Sequence, residues 1–340
     1  MGDFRAIVIE QETEGSRILA HTAEARQLTD AFLMPGDVTV AVEFSDVNYK
    51  DGLAIAGRPG VARVSPLIPG IDLVGVVESS EDPRWRPGDR VVLNGDGIGE
   101  SHHGGLAERA RVRGDALVRV PDTLLNEQAA AIGTAGFTAM LAVLALERNG
   151  VDPEQVHASG SSVLVTGAAG GVGSVAVSLL AKLGYPVTAS TGRVEELGGY
   201  LTDLGATSII DRAELSDPGR PLQTQRWAGS IDSVGSTTLA NVLAQTSYGG
   251  TVAACGLAQG ADLPTTVMPF ILRGVTLTGI NSVEAPPALR ETAWRRIATD
   301  LDEEALAAMT RFIPLSEAIP AAADILAGRL HGRTVVDVRA

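Results

Sequence analysis

The sequence predicts an α/β protein with an all-β, barrel-like unit followed by a doubly wound parallel sheet. Three observations carry this. From Phe4 to about Pro121, short alternating apolar segments are punctuated by Gly and Pro. Near Leu124 the pattern turns helical, and beyond it short apolar runs alternate with helical segments. At the head of that second part, a glycine-rich turn joins an apolar strand to a helix.

In the first part, strands are expected over residues 5–9, 37–44, 72–78, 90–93, 107–113 and 116–120, with Arg86-Pro87-Gly88-Asp89-Arg90 as a turn feeding one of them. Asn126 is a candidate cap for a helix opening at Glu127. In the second part, strands are expected over 162–166, 186–191, 208–211, 230–234, 250–255 and 275–280. Helices are expected over 289–300, 303–311 and 319–327, and the strand 334–338 is expected to return to the first domain. The domains therefore read as 1–125, 126–284 and a return segment 285–340.

A chain of 340 residues with 45% hydrophobic content can bury two cores. A net charge of -14 opposes nonspecific binding to nucleic acid or to an acidic membrane, because both need excess Lys and Arg beside phosphates. The single cysteine, Cys255, permits neither an internal disulfide nor a multi-cysteine zinc site, which suits a reducing cytoplasm. It lies in an apolar run and reads as core rather than nucleophile. Asp3, Arg5 and Glu10 interrupt the first apolar segment, so no secretory signal is visible there. The stretch 158–181 carries no charge, but the glycines in its middle favour the strand–turn–helix reading over a membrane span.

That turn is Gly167-Ala168-Ala169-Gly170-Gly171-Val172-Gly173. Glycines there allow a tight turn, let backbone N–H groups approach a pyrophosphate, and bring the helix onto the strand. The next strand ends in Ser190-Thr191-Gly192-Arg193, where the adenine ribose would lie. An NAD site places Asp or Glu at this point, whereas a guanidinium suits a 2′-phosphate. With Glu195 and Glu196 following Arg193, the expected cofactor is NADPH, held at its phosphate by Thr191, Gly192 and Arg193.

The order of parts resembles the medium-chain dehydrogenase/reductase superfamily. Three segments narrow the resemblance: Ser45-Asp46-Val47-Asn48-Tyr49-Lys50-Asp51-Gly52-Leu53-Ala54, Ile132-Gly133-Thr134-Ala135-Gly136-Phe137-Thr138-Ala139-Met140, and Leu263-Pro264-Thr265-Thr266-Val267-Met268-Pro269-Phe270-Ile271-Leu272-Arg273. They look like the acrylyl-CoA reductase branch, whose members were often labelled quinone oxidoreductases. The resemblance implies a GroES-like barrel domain with a Rossmann domain, and NADPH-dependent reduction of a short-chain 2-enoyl-CoA by hydride transfer to its β-carbon. It implies that Asn48 and Tyr49 face the nicotinamide. It also implies that Ala169, Gly170, Gly171 and Val172 underlie the pyrophosphate, that Arg212 joins the adenosine-phosphate site, and that Leu257, Ile271, Ser282 and Arg333 meet the nicotinamide end.

Where zinc-dependent relatives carry Gly-His-Glu, this chain has Gly70-Ile71-Asp72, and two adjacent histidines, His102 and His103, cannot alone close a zinc site. Metal-free chemistry is therefore expected. Tyr49 as proton donor and Tyr49 as a cofactor contact alone both stand. Lys50 and Asp51 read as a pair bracing their loop. Arg58 and Arg63 could reach a CoA phosphate or be solvated, and Arg333 beside Gly332 could face solvent. Two other functions remain open: a quinone or enone reductase, and a catalytically idle NADPH binder. The resemblance also implies a homodimer, with the strand 275–280 as a candidate joining edge.

Overall fold

The computed structural model describes residues 3–15 and 17–340, which divide into two compact units. The first comprises residues up to Thr134 together with Ser282–Ala298 and Met309–Ala340, and the second comprises Ala135–Asn281 and Thr299–Ala308. The division thus falls later than the expected 125/126, and the return segment is shared between the units.

In the first unit, β1 (Phe4–Glu14) and β2 (Arg17–Leu28) form an antiparallel pair with an irregularity at Glu12/Thr13. The other strands before the boundary are β3 (Val38–Asp46), β4 (Asp72–Ser80), β5 (Arg90–Asn94), β6 (Arg109–Val112) and β7 (Val118–Arg119). β3 is the organising strand, pairing antiparallel with both β4 and β6. Its alternate residues Val38, Val40 and Val42 are fully buried with Leu73, Val91, Leu93 and Leu106, as a period of two requires of a half-buried strand.

The second unit holds β8 (Ser162–Val165), β9 (Val187–Thr191), β10 (Ser208–Asp211), β11 (Trp227–Asp232), β12 (Thr246–Ala254) and β13 (Thr276–Gly279). All pair in parallel, in the order β10-β9-β8-β11-β12-β13. The order reverses between β8 and β11, which marks the crevice where such sheets bind ligands. Leu164, Val242, Leu243 and Val252 form the centre of its core.

The chain then supplies the first unit with β14 (Thr310–Pro314) and β15 (Arg333–Asp337). β15 pairs with β3, so the last strand returns as expected. One expectation needs correction, and one strand was not expected. The helix expected over 303–311 stops at Ala308, and Thr310-Arg311-Phe312-Ile313 joins β15 in parallel, because tertiary pairing overrides the local helical pattern. β2 lacked a sequence signal, since most of its residues are exposed and polar.

Among the described residues, Asn126–Arg148 is the one helix long and apolar enough to cross a membrane, yet 89% of its most apolar window is buried within the fold. Gly133 breaks it with φ 49° and ψ −160°.

Leu164→Ala is expected to lower stability by about 2–5 kcal/mol, since a fully buried leucine is replaced by a cavity. Urea unfolding followed by circular dichroism would register this as a shift in the midpoint of the second unit's transition.

Candidate cofactor and active site

Within the second unit, the glycine turn follows β8 and opens the 12-residue helix Gly171–Lys182. Gly167 adopts φ 59°, and a side chain there would meet Ser233 Oγ at 2.5 Å. A Cβ on Gly173 would collide with the Gly167 carbonyl, so this glycine is what lets the helix close onto the strand. The Ala168 N–H donates to the Ser190 carbonyl at 3.1 Å, fixing the turn against β9. Ala169 is buried, while Gly170, Gly171 and Val172 reach the surface at the helix N-terminus. N–H groups in such a first turn have no partner within the helix and favour an anion.

Thr191, Gly192, Arg193 and Arg212 converge beside this turn. The Arg212 N–H donates to the Thr191 carbonyl at 3.0 Å, and the Arg193 N–H donates to Thr191 Oγ1 at 3.3 Å. A Cβ on Gly192 would sit 2.5 Å from Arg212 Nε, so only glycine lets that guanidinium lie against the strand end. Arg193 sits 3.4 Å from Glu196, half-buried. Two guanidinium groups and a hydroxyl around a bare backbone fit a nucleotide phosphate, and no carboxylate stands at the 192 position to bind a ribose diol.

Leu257 and Ile271, expected at the nicotinamide end, are exposed apolar side chains, Ile271 at 72%. Directly after β12, Cys255 Sγ donates to the Asp232 carbonyl at 3.3 Å. Burial, with the nearby Asp232 carboxylate, pushes its thiol up to about 12, so it is no nucleophile.

In the first unit, Asn48 precedes the helix Tyr49–Ile55. Tyr49 is 48% exposed, presenting its ring outward. Asn48 points the other way. Its Nδ2 donates to Asp46 Oδ1 at 2.6 Å and to Asp72 Oδ2 at 2.8 Å, and its Oδ1 accepts from Arg333 at 3.1 Å. Both ends of this amide have partners inside the unit, the arrangement of a structural tie at the helix start.

Arg333 is likewise turned inward at 2% exposed, donating to Asp46 and to the Ala131 carbonyl, so the solvent-facing alternative fails and its guanidinium is spent inside the unit. Ser282 is half-buried, and its carbonyl accepts from Arg290 at 3.1 Å.

The buried cluster around Asn48 had no sequence signal. Asp46, Asp51 and Asp72 come together because β3 pairs with β4 and the helix starting at Tyr49 follows β3 directly. Asp51 accepts the Asn48 N–H and the Ile71 N–H, each at 2.9 Å, so it braces the loop without pairing with Lys50. Lys50 instead meets the buried Glu100 at 2.7 Å, and Arg63 approaches the same carboxylate at 3.6 Å. Arg58 is exposed.

His103 Nδ1 accepts the Ile68 N–H and its Nε2 faces the Phe32 carbonyl, while burial lowers it to about 4. His102 faces the carbonyls of Pro35 and His103. Both histidines are thus tied to backbone.

Residues 34–122 match the family described as "Alcohol dehydrogenase GroES-like domain", and residues 171–299 match "Zinc-binding dehydrogenase". The chain is 53% identical to "Acrylyl-CoA reductase AcuI" of Ruegeria pomeroyi, over 99% of this chain and 100% of that protein. The chain belongs to the medium-chain dehydrogenase/reductase superfamily. Its branch within that superfamily is that of the acrylyl-CoA reductases and their quinone oxidoreductase-like relatives, including the "Putative quinone oxidoreductase YhfP" of Bacillus subtilis, 44% identical over 98% of both chains. Among solved structures, the yhdH oxidoreductase from Salmonella enterica in complex with NADP superposes with a TM-score of 0.92 at 51% identity, covering 98% of this chain and 99% of that one. In this medium-chain dehydrogenase/reductase, the glycine turn and the Arg193–Arg212 pair therefore occupy a true Rossmann unit and the Asn48–Tyr49 segment a GroES-like one.

Burial holds Asp51 up at about 7, and Asp46 is raised in the same direction by burial and by repulsion from Asp72. A folded state that holds these protons more tightly than the unfolded chain is most stable below the ordinary carboxylate range. That contribution is lost as pH climbs towards about 7. Asp51→Asn removes one such titration and one acceptor for a buried N–H. Thermal melts between about pH 5 and pH 8 should show a lower Tm but a shallower decline with pH than in the parent protein.

Proposed function

We propose that the protein is an NADPH-dependent reductase of short-chain 2-enoyl-CoA thioesters, with acrylyl-CoA as the principal substrate and propanoyl-CoA as product. The observation that carries this reading is the full-length 53% identity to an acrylyl-CoA reductase, joined to a phosphate-binding corner built from Thr191, Gly192, Arg193 and Arg212. Ala169 to Val172 hold the pyrophosphate through backbone N–H groups, and the guanidinium pair holds the 2′-phosphate.

Bound NADPH supplies the hydride. An enoyl thioester accepts it readily, because conjugation to the carbonyl leaves the β-carbon electrophilic. What the chain adds is position and protons. Tyr49 stands exposed at the head of its helix, where its Oη can donate to the α-carbon as charge collapses from the thioester oxygen. Asn48 serves by holding that helix start in place. Leu257 and Ile271 offer apolar surface against the nicotinamide, excluding water from the transfer. Arg58, exposed on the 57–70 loop, is the candidate for a CoA phosphate, while Arg63 is shared with Glu100.

The second reading is a quinone or enone reductase, favoured by the 44% identity to the putative quinone oxidoreductase of Bacillus subtilis. It uses the same cofactor corner and has no need of Arg58. A homodimer is part of the proposal, supported by β13 at the open edge of its sheet and by the exposed Val267 and Leu272 near it.

Consumption of NADPH at 340 nm with acrylyl-CoA, crotonyl-CoA and a benzoquinone should be fastest with acrylyl-CoA, and turnover confined to the quinone would overturn the thioester reading. Arg193→Ala should raise the KM for NADPH about 10- to 100-fold with little change for NADH, the loss expected for one charge-assisted phosphate contact. Tyr49→Phe should lower kcat more than it raises KM, and a variant with full turnover would remove the proton-donor role.

A further inference from the structure

A carboxylate taken out of water needs donors to replace its hydration. Asp72, fully buried at the start of β4, draws them from three separate segments. Asn48 Nδ2 reaches Oδ2 at 2.8 Å, and Asn94 Nδ2, at the end of β5, reaches Oδ1 at 2.7 Å. Thr134 gives its N–H to both oxygens, at 3.0 and 2.9 Å, and its hydroxyl to Oδ1 at 2.5 Å.

From Asn94 the bonds continue. Its Oδ1 accepts Trp294 Nε1 at 3.1 Å, and its backbone carbonyl accepts Arg290 at 2.6 Å. The same Arg290 guanidinium donates to the carbonyls of Ser282, at 3.1 Å, and Val283, at 2.8 Å. Those residues have a definite place in the chain. Thr134 is the last residue of the first unit before the chain passes into the second, and Ser282 is the first on its return. Gly133, beside Thr134, must be glycine, since a Cβ there would strike Asp46 Oδ2 and lie 3.0 Å from Asp72 Oδ2.

We propose that Asp72 is a positioning residue. It sets the start of the Tyr49 helix through Asn48, and it fixes both points where the chain leaves and rejoins its unit, through Thr134 and through Asn94 with Arg290. The first half of this assignment rests on the reading of Tyr49 above. Asp46 provides an internal control. It is as buried as Asp72, shares Asn48 with it and lies against it, but its ion pair is with Arg333, and the bonds from Thr134 and Asn94 go to Asp72. A general cost of disturbing buried charge would appear at both positions, whereas loosening of both chain crossings together belongs to Asp72.

The test compares Asp72→Asn with Asp46→Asn in the NADPH-loaded protein. An asparagine at 72 turns one of the two acceptor oxygens into an NH2 donor, so the bond from Asn48 to Oδ2 and the bonds from Asn94 and the Thr134 hydroxyl to Oδ1 cannot all survive, and in either orientation the Thr134 N–H loses one of its two acceptors. In Asp72→Asn, hydrogen exchange in peptides covering 131–137 and 281–286 should speed by about tenfold or more, with kcat down by about tenfold and the KM for NADPH within about twofold. In Asp46→Asn, exchange at 281–286 should match the parent, whereas 131–137, whose Ala131 carbonyl is held by Arg333, responds to either variant. Equal acceleration in both variants, spread over the whole first unit, would overturn the proposal in favour of a purely structural charge.

Should Asp72→Asn fail to fold, Thr134→Val and Trp294→Phe each remove one bond. They should accelerate exchange at 131–137 and at 281–286 respectively, and unchanged exchange in both would overturn the anchoring. Tyr49→Phe assayed alongside separates the two claims. Full turnover by Tyr49→Phe together with the exchange pattern above would defeat the Tyr49 reading and support the anchoring of the crossings. Accelerated exchange with undiminished kcat in Asp72→Asn would overturn the positioning of Tyr49.

Discussion

Three aspartates buried in one small volume, with a single guanidinium among them, set the terms for the first unit. Asp46, Asp51 and Asp72 would repel one another and lack hydration unless each were met by donors or kept its proton. The surrounding structure meets that demand. Arg333 on the last strand, Asn48 before a helix, Asn94 at a strand end and Thr134 after a helix break are all turned towards carboxylate oxygens. The consequence is that residues from the start, middle and end of the chain must be in place together before the cluster is satisfied. Such a requirement ties the fold of this unit to its full complement of strands, including β15.

The second unit solves a different electrostatic problem. It presents positive potential without excess positive charge in a chain of net charge -14. The means are local: free backbone N–H groups at one helix start, and guanidinium groups packed against a strand end that carries no Cβ at Gly192.

What was legible in the sequence follows from how local each signal is. The glycine turn and β8 to β13 depend on neighbours within one strand–turn–helix unit, and the six strands lie in the expected order with ends within about four residues of the expected ones. β14 was hidden because the helical pattern opening at Glu303 runs up to a five-residue strand whose formers Thr310, Phe312 and Ile313 are too few to outweigh it without the partner β15. β2 was hidden because its exposed, charged faces resemble a loop. The aspartate cluster was invisible for a deeper reason: Asp46 and Asp72 become neighbours only through the register of β3 on β4, and register is a property of the sheet and not of either segment. Asn48 shows this too. It sits beside Tyr49 in the sequence, but adjacent residues at a helix start face opposite ways, and the burial that separates them lies in the tertiary structure.

Cys255 has a bearing on the proposed substrate that its modest packing role does not suggest. An enoyl thioester is a conjugate acceptor, and any accessible thiolate would add to its β-carbon and be alkylated irreversibly. This chain carries one sulfhydryl, and that one is held in its protonated form with its hydrogen committed to a backbone carbonyl. A protein so constituted can work in the presence of an electrophile without being consumed by it.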